Sequence, residues 1–238
     1  MLETLRSAVV TPIVRRWLRT ADTSWRRLRV PSGPPLAQSE GPDPDRILLF
    51  GSGICIGYGM ASHDLALAGQ IARQVSDLTL RGVEVDVVAG ENITVDNALR
   101  SFDTKRLREL DVVVATLGTL DRLFLLRPAI WRSRIEFLLY HFSAHAPASL
   151  RVLFVAVPEI STIVPMPALL GSLADRSARA LNRELEAACA QRPYAQFTPF
   201  HPRQVAGRGG TGRTYEHWAT LIAPAVADAL NDHQKVSR

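Results

Sequence analysis

Apolar residues fall along the chain in two alternating rhythms. Short runs, Ile47–Phe50, Val83–Val88, Asp111–Leu117 and Leu150–Val157, are rich in β-branched residues and read as buried strands. Ala195–Thr198 reads as a fifth. Between them, His63–Leu80, Asn97–Leu110, Ala129–Phe142, Asp175–Gln191 and Thr214–Leu230 repeat apolar residues at helical spacing. Ser62 and Asp64 are helix-start residues at the head of the first of these. The segment Asp111–Leu117 (DVVVATL) is apolar on both faces, as a central parallel strand must be. Strands alternating with helices predict a parallel sheet covered on both sides.

The first 29 residues follow a third rhythm. Leu2, Leu5, Val9, Ile13, Trp17 and Leu18 recur at near-helical spacing, with Pro12 as a possible kink. Residues 31–45 (PSGPPLAQSEGPDPD) are Pro-rich and polar and read as a semi-extended linker. The expected organisation is a basic amphipathic arm over 1–30, a linker over 31–45 and one domain over 46–238.

Charge changes the picture in one place. The net charge of +5 resides in the arm, where Arg6, Arg15, Arg16, Arg19, Arg26, Arg27 and Arg29 face only Glu3 and Asp22. The rest of the chain is balanced, which argues against a nucleic-acid-binding domain. The arm is expected to meet an anionic membrane surface, a partner helix or its own domain, with Leu5, Val9, Ile13 and Trp17 seated in a bilayer interface in the first case. The start of the chain shows no secretory pattern and no stretch reaches the roughly 20 apolar residues of a membrane span, so a cytoplasmic protein is expected. Cys55 and Cys189 lie among apolar neighbours and read as buried thiols. No Cys/His cluster has metal-ligand spacing, so no metal is expected.

In a parallel sheet the ligand site lies beyond the carboxyl ends of the strands, so candidate chemistry follows Phe50, Val88, Leu117, Val157 and Thr198. The residues there are Gly51-Ser52-Gly53, then Gly90 and Asn92, then Gly118-Thr119-Leu120-Asp121, then a Pro-broken loop with Ser161 and Thr162, then Thr198-Pro199-Phe200-His201-Pro202. Read in that order, residues 46–230 resemble the SGNH (GDSL-type) hydrolases. The resemblance implies a three-layer α/β/α fold with a flavodoxin-like sheet in strand order 2-1-3-4-5. It also implies hydrolysis of a small ester or acyl substrate through a serine acyl-enzyme, without a cofactor. In that family a Gly-Asp-Ser turn follows the first strand, an Asn of a Gly-x-Asn-Asp motif follows the third, and an Asp-x-x-His lies near the C-terminus.

This chain departs from the pattern. Ser52 holds the Asp position and Gly53 the nucleophile position. Leu120 replaces the Asn and Thr198 the catalytic Asp, while His201 stays in register and Asp121 matches the motif's supporting Asp. If the site is active, Ser52 is the nucleophile, His201 the base, and the amides of Ser52, Gly53 and Gly90 the oxyanion donors. Asn92 competes with Gly90 for that place, and Gly118 opens the third turn. Restoring Gly53→Ser, Leu120→Asn and Thr198→Asp together is expected to raise activity. The alternative is an SGNH-fold protein that binds a ligand or acts as a scaffold. A third reading, Gly51-x-Gly53-x-x-x-Gly57 as a dinucleotide loop, lacks an acidic residue cleanly at the tip of the second strand. His63-Asp64 reads as a helix opening or as a second pair at the site mouth.

Overall fold

The computed structural model describes residues 2–101, 103–203 and 210–237; the side chains of 2–9, 210 and 235–237 lie outside that description. In chain order the elements are α1 (Leu2–Thr20), β1 (Leu36–Ser39), β2 (Asp45–Gly51), α2 (Leu67–Thr79), β3 (Val83–Ala89), β4 (Val112–Thr116), α3 (Thr119–Leu123), α4 (Pro128–His145), β5 (Arg151–Val155), α5 (Ala168–Cys189), β6 (Ala195–Thr198) and α6 (Gly210–Ser237). The sheet order is β1-β3-β2-β4-β5-β6. The last five of these pair in parallel, which is the expected 2-1-3-4-5 order.

Strand alternation divides the core in two. Ile47, Leu49, Val112 and Val114 face α2 and α6, while Leu48, Phe50, Val113 and Ala115 face α4 and α5. Every residue of β4 is buried, consistent with helices covering both of its faces. The register Phe50↔Val88 and Phe50↔Ala115 brings the ends of β3, β2 and β4 to one edge. Gly51 ends β2 at that edge, and Gly118 and His201 follow the ends of β4 and β6.

The Pro-rich stretch expected as a linker contains β1, which pairs antiparallel with β3 (Leu36↔Asp86 to Ser39↔Val83). Without it β3 would leave a row of unpaired backbone groups at the sheet edge. Pro34 and Pro35 precede the strand, where a missing N–H costs no ladder bond, and the Pro35 carbonyl accepts from Val87 N–H at 2.8 Å.

The arm folds onto the domain. Val14, Trp17 and Leu18 are buried in the α2/α6 side of the core, with Trp25 against Trp17 (centroids 5.6 Å apart). Ser24 Oγ donates to Leu18 O at 2.8 Å, closing the turn after α1. Trp17 is therefore packed in protein, which corrects its expected seat in a bilayer interface; Ile13 is about half exposed, and the side chains of Leu5 and Val9 lie outside the described residues.

Two helix expectations are also corrected. Asn97–Leu110 forms two short 3-10 turns, Ala98–Arg100 and Thr104–Glu109. Asp103 Oδ1 accepts the Lys105 N–H at 3.0 Å, a local bond that competes with helix propagation. Helix α2 starts at Leu67 rather than at His63, because His63 O accepts the N–H groups of Ala66 and Gly69 and folds the residues before it into a turn. A Cβ on Gly69 would come within 2.0 Å of Asp64 O, so only glycine permits this approach.

Candidate functional site

The carboxyl ends of β2, β4 and β5 open into a cavity of about 300 Å³, walled by Trp25, Leu28, Ile54, Val155, Ile163 and Trp218 among others. The arm thus contributes two of its side chains to the wall. Ser52 and Gly53 border the cavity from the end of β2, Thr116 and Thr119 from the end of β4, and Thr211, Thr214 and Tyr215 from the start of α6.

The turn after β2 is held against β4. Ser52 N–H donates to Thr116 O at 2.9 Å, and Thr116 Oγ1 donates to Ser52 O at 3.1 Å. Gly51 has φ +131°, and a Cβ there would lie 2.4 Å from Thr116 O. Gly53, at the nucleophile position, has φ +72°, and a Cβ there would lie 2.3 Å from Thr119 Oγ1. The space for a nucleophilic side chain at 53 is thus filled by Thr119, and the backbone favours glycine. A serine introduced at 53, one of the three substitutions expected to raise activity, would have to displace the Thr119 side chain.

The expected catalytic pair is not assembled. Ser52 is 1% exposed, and its Oγ is shielded from solvent with no hydrogen-bond partner among the described residues. His201 is exposed and is not among the residues that line the cavity. Its neighbour Phe200 turns inward instead, edge-on to Trp218 at 6.2 Å, and Trp218 Nε1 donates to Arg203 O at 3.1 Å. An inward Phe200 and Pro202 leave His201 on the outer side of the segment. Residues 204–209, part of the Gln204–Gly212 stretch that follows, lie outside the described residues. Thr198 is buried with its hydroxyl unpartnered among the described residues, and Leu120 is buried in the core.

Two of the three expected oxyanion amides are engaged elsewhere. Gly90 N–H donates to Gly51 O at 3.0 Å, and Ser52 N–H is taken by Thr116. Asn92 is exposed and accepts from Arg26 of the arm at 3.0 Å. Gly118, at φ +99°, starts α3 and accepts the Arg122 N–H at 3.0 Å. Asp121 is 4% exposed, accepts the Val95 N–H at 3.3 Å and does not line the cavity. Burial pushes its pKa up to about 7, opposed by the Val95 bond. Ser161 Oγ donates to Asp175 at 2.5 Å and lies outside the cavity wall, as does His63. Cys55 and Cys189 are buried free thiols, each pushed up to about 12 by burial.

One wall residue was not anticipated. Arg122, in α3, is 3% exposed and borders the cavity. Its Nη1 donates to Pro158 O, and its Nε has no partner among the described residues. Burial lowers its pKa to about 10, with Asp175 opposing, so it stays charged at neutral pH. The available signal was position: a cation four residues past a strand-end glycine, in the motif block that carries Asp121.

This geometry meets known proteins at the level of the whole fold. A lipase from a goat rumen metagenome is 14% identical and superposes with a TM-score of 0.62 over 76% of this chain and 97% of its own. TesA gives 0.57 at 16% identity over 78% and 99%, and a G-D-S-L family lipolytic protein of Veillonella parvula 0.57 at 15% over 75% and 96%. The fold is that of the SGNH hydrolases. No protein-family model and no curated protein matches the sequence. At such identity the likeness extends to the three-layer architecture alone.

Proposed function

We propose that the chain is a small-molecule-binding protein on an SGNH scaffold, with its cleft intact and its ester chemistry lost. The observation that carries this reading is the composition of the cavity wall: among the described residues it holds no imidazole and no carboxylate. Residues 204–209 (QVAGRG) contain neither type. A serine needs an adjacent base to become nucleophilic, and the transition state needs donors aimed at the oxyanion. Here the nucleophile position is a glycine packed on Thr119, and two of the three expected amides are bonded within the fold.

The arm has an internal role in this reading. Trp25 and Leu28 complete the cavity wall, and Arg26 pairs with Glu91 (3.4 Å) and Asn92 beside it. Protein packing thus supports the arm's apolar face better than a membrane surface does. Among the described residues no helix is long and apolar enough to cross a membrane. A cytoplasmic setting belongs to the same proposal, supported by two buried free thiols.

The rival reading is slow hydrolysis through Ser52, favoured by its place at the cavity edge. Hydrolysis of p-nitrophenyl butyrate and decanoate separates the two. The expected rate equals the buffer blank and is unchanged in Ser52→Ala. Turnover that Ser52→Ala abolishes overturns the binding reading.

A further inference from the structure

Arg122 is the only charged side chain among the described residues of the cavity wall. Its position is set by the turn at Gly118, whose carbonyl accepts the Arg122 N–H in the first turn of α3. A buried guanidinium offers five N–H donors and needs both hydrogen bonds and a counter-charge. Here Nη1 meets the Pro158 carbonyl and Nε meets no described partner. Asp175 is close enough to act on Arg122 electrostatically, but its own oxygens accept from Ile160 N–H (2.6 Å), Ser161 N–H (3.3 Å) and Ser161 Oγ (2.5 Å). No ion pair joins it to Arg122 among the described residues. Burying a charge without a direct partner is costly. A cavity that borders the charge can admit the partner.

The rest of the wall defines what carries that partner. Trp25, Ile54, Val155, Ile160, Ile163 and Trp218 offer hydrocarbon and aromatic surface, and serine, threonine and tyrosine residues supply the remaining polarity. We infer that the cavity takes an amphipathic monocarboxylate, its head on Arg122 and its hydrocarbon tail along these side chains; the inference rests on the binding reading above. A guanidinium matches a carboxylate in shape and can hold it through two parallel bonds. One cation also balances one negative charge, whereas the second charge of a phosphate monoester would enter an apolar cavity unpaired. The volume, about 300 Å³, is at the small end of ligand pockets, roughly 300–1,000 Å³, and suits a single medium-length chain.

Isothermal titration of the full chain with decanoate, 1-decanol and decyl phosphate at neutral pH, below the micelle concentrations of the two anions and the solubility limit of the alcohol, tests this. Decanoate is expected to bind at least about tenfold tighter than either of the others. Arg122→Met is expected to bring decanoate down to the affinity of decanol and to leave decanol unchanged. Equal binding of decanoate and decanol by the wild type overturns the inference while the binding reading stands. Tighter binding of decyl phosphate overturns the assignment to a carboxylate, and retention of the decanoate preference in Arg122→Met overturns the role of Arg122. Binding of none of the three overturns the inference and the binding reading together. Should Arg122→Met fail to fold, the wild-type comparison decides alone, since it requires no variant.

Discussion

Two turns leave the same edge of the sheet side by side, one after β2 and one after β4, and they present opposite chemistry to the cavity. Both begin with a glycine in left-handed backbone, Gly51 at φ +131° and Gly118 at φ +99°. Both border the cavity. The β2 turn, Gly51-Ser52-Gly53, has no side chain at 53 and buries its one hydroxyl. The β4 turn, Gly118-Thr119-Leu120-Asp121-Arg122, places a charged guanidinium at the cavity. The two changes interlock, because Thr119 of the second turn occupies the space above Gly53 of the first. The lesson is that the packing of one turn can set what its neighbour is able to present to a shared cavity. The element that fills the space above Gly53 is also the one that brings Arg122 to the cavity.

The comparison breaks first at the glycines. Gly51→Ala drives a Cβ to 2.4 Å from the Thr116 carbonyl, a backbone atom fixed in β4, and is expected to destabilise by about 3–5 kcal/mol. Gly118→Ala meets Val157 Cγ2 at 2.5 Å, a side chain able to shift, and should cost about 1–2 kcal/mol less than Gly51→Ala. Urea unfolding measures both; equal costs would show that the two turns are equally deformable.

A second effect separates the turns by pH. Asp121 belongs to the β4 turn, and burial raises its pKa from an ordinary 3.8 to about 7. A carboxyl raised in the folded state contributes stability that is complete below about pH 4 and is lost as pH rises through 7. Asp121→Asn should remove that slope and gain on the wild type between pH 4.5 and 7.5, by an amount on the order of a few kcal/mol. Paired thermal melts at the two pH values give the difference, and parallel melting shifts in the two proteins would refute it.

The smallest effect sharpens the interlock itself. Gly53→Ser is expected to cost about 2–3 kcal/mol, and Thr119→Gly in the same chain to return about half of it. A double-mutant cycle measures the coupling. Additive costs would mean that Thr119 is not what excludes a side chain at 53. Ester hydrolysis should stay at the blank in both variants, because His201 remains outside the cavity.

The fold was legible because its signals are local. Buried runs such as Val112–Val114 declare a parallel strand, and their order with the helices leaves few topologies open. The strand-end positions of Gly51, Gly118 and His201 followed from the same reading. The site was less legible because it depends on direction. Whether His201 or Phe200 faces inward is set by which one Trp218 accepts as a neighbour, across a gap of many residues. Asn92 lies near the expected oxyanion position in sequence, yet Arg26 of the arm engages it from 66 residues away.

What the chain determined by itself, then, is the run of strands and helices and the places where turns need glycine, since these follow from periodicity and backbone sterics over a few residues; the sheet order was expected only through the resemblance to a known family. Tertiary structure decided three other matters. The arm's Trp17 and Trp25 are core residues because the α2/α6 face leaves an apolar surface that they cover. Residues 36–39 are a strand because β3 needs an edge partner. Arg122 is a cavity residue because α3 turns back beneath Pro158, and a buried cation acquires its meaning only from what surrounds it.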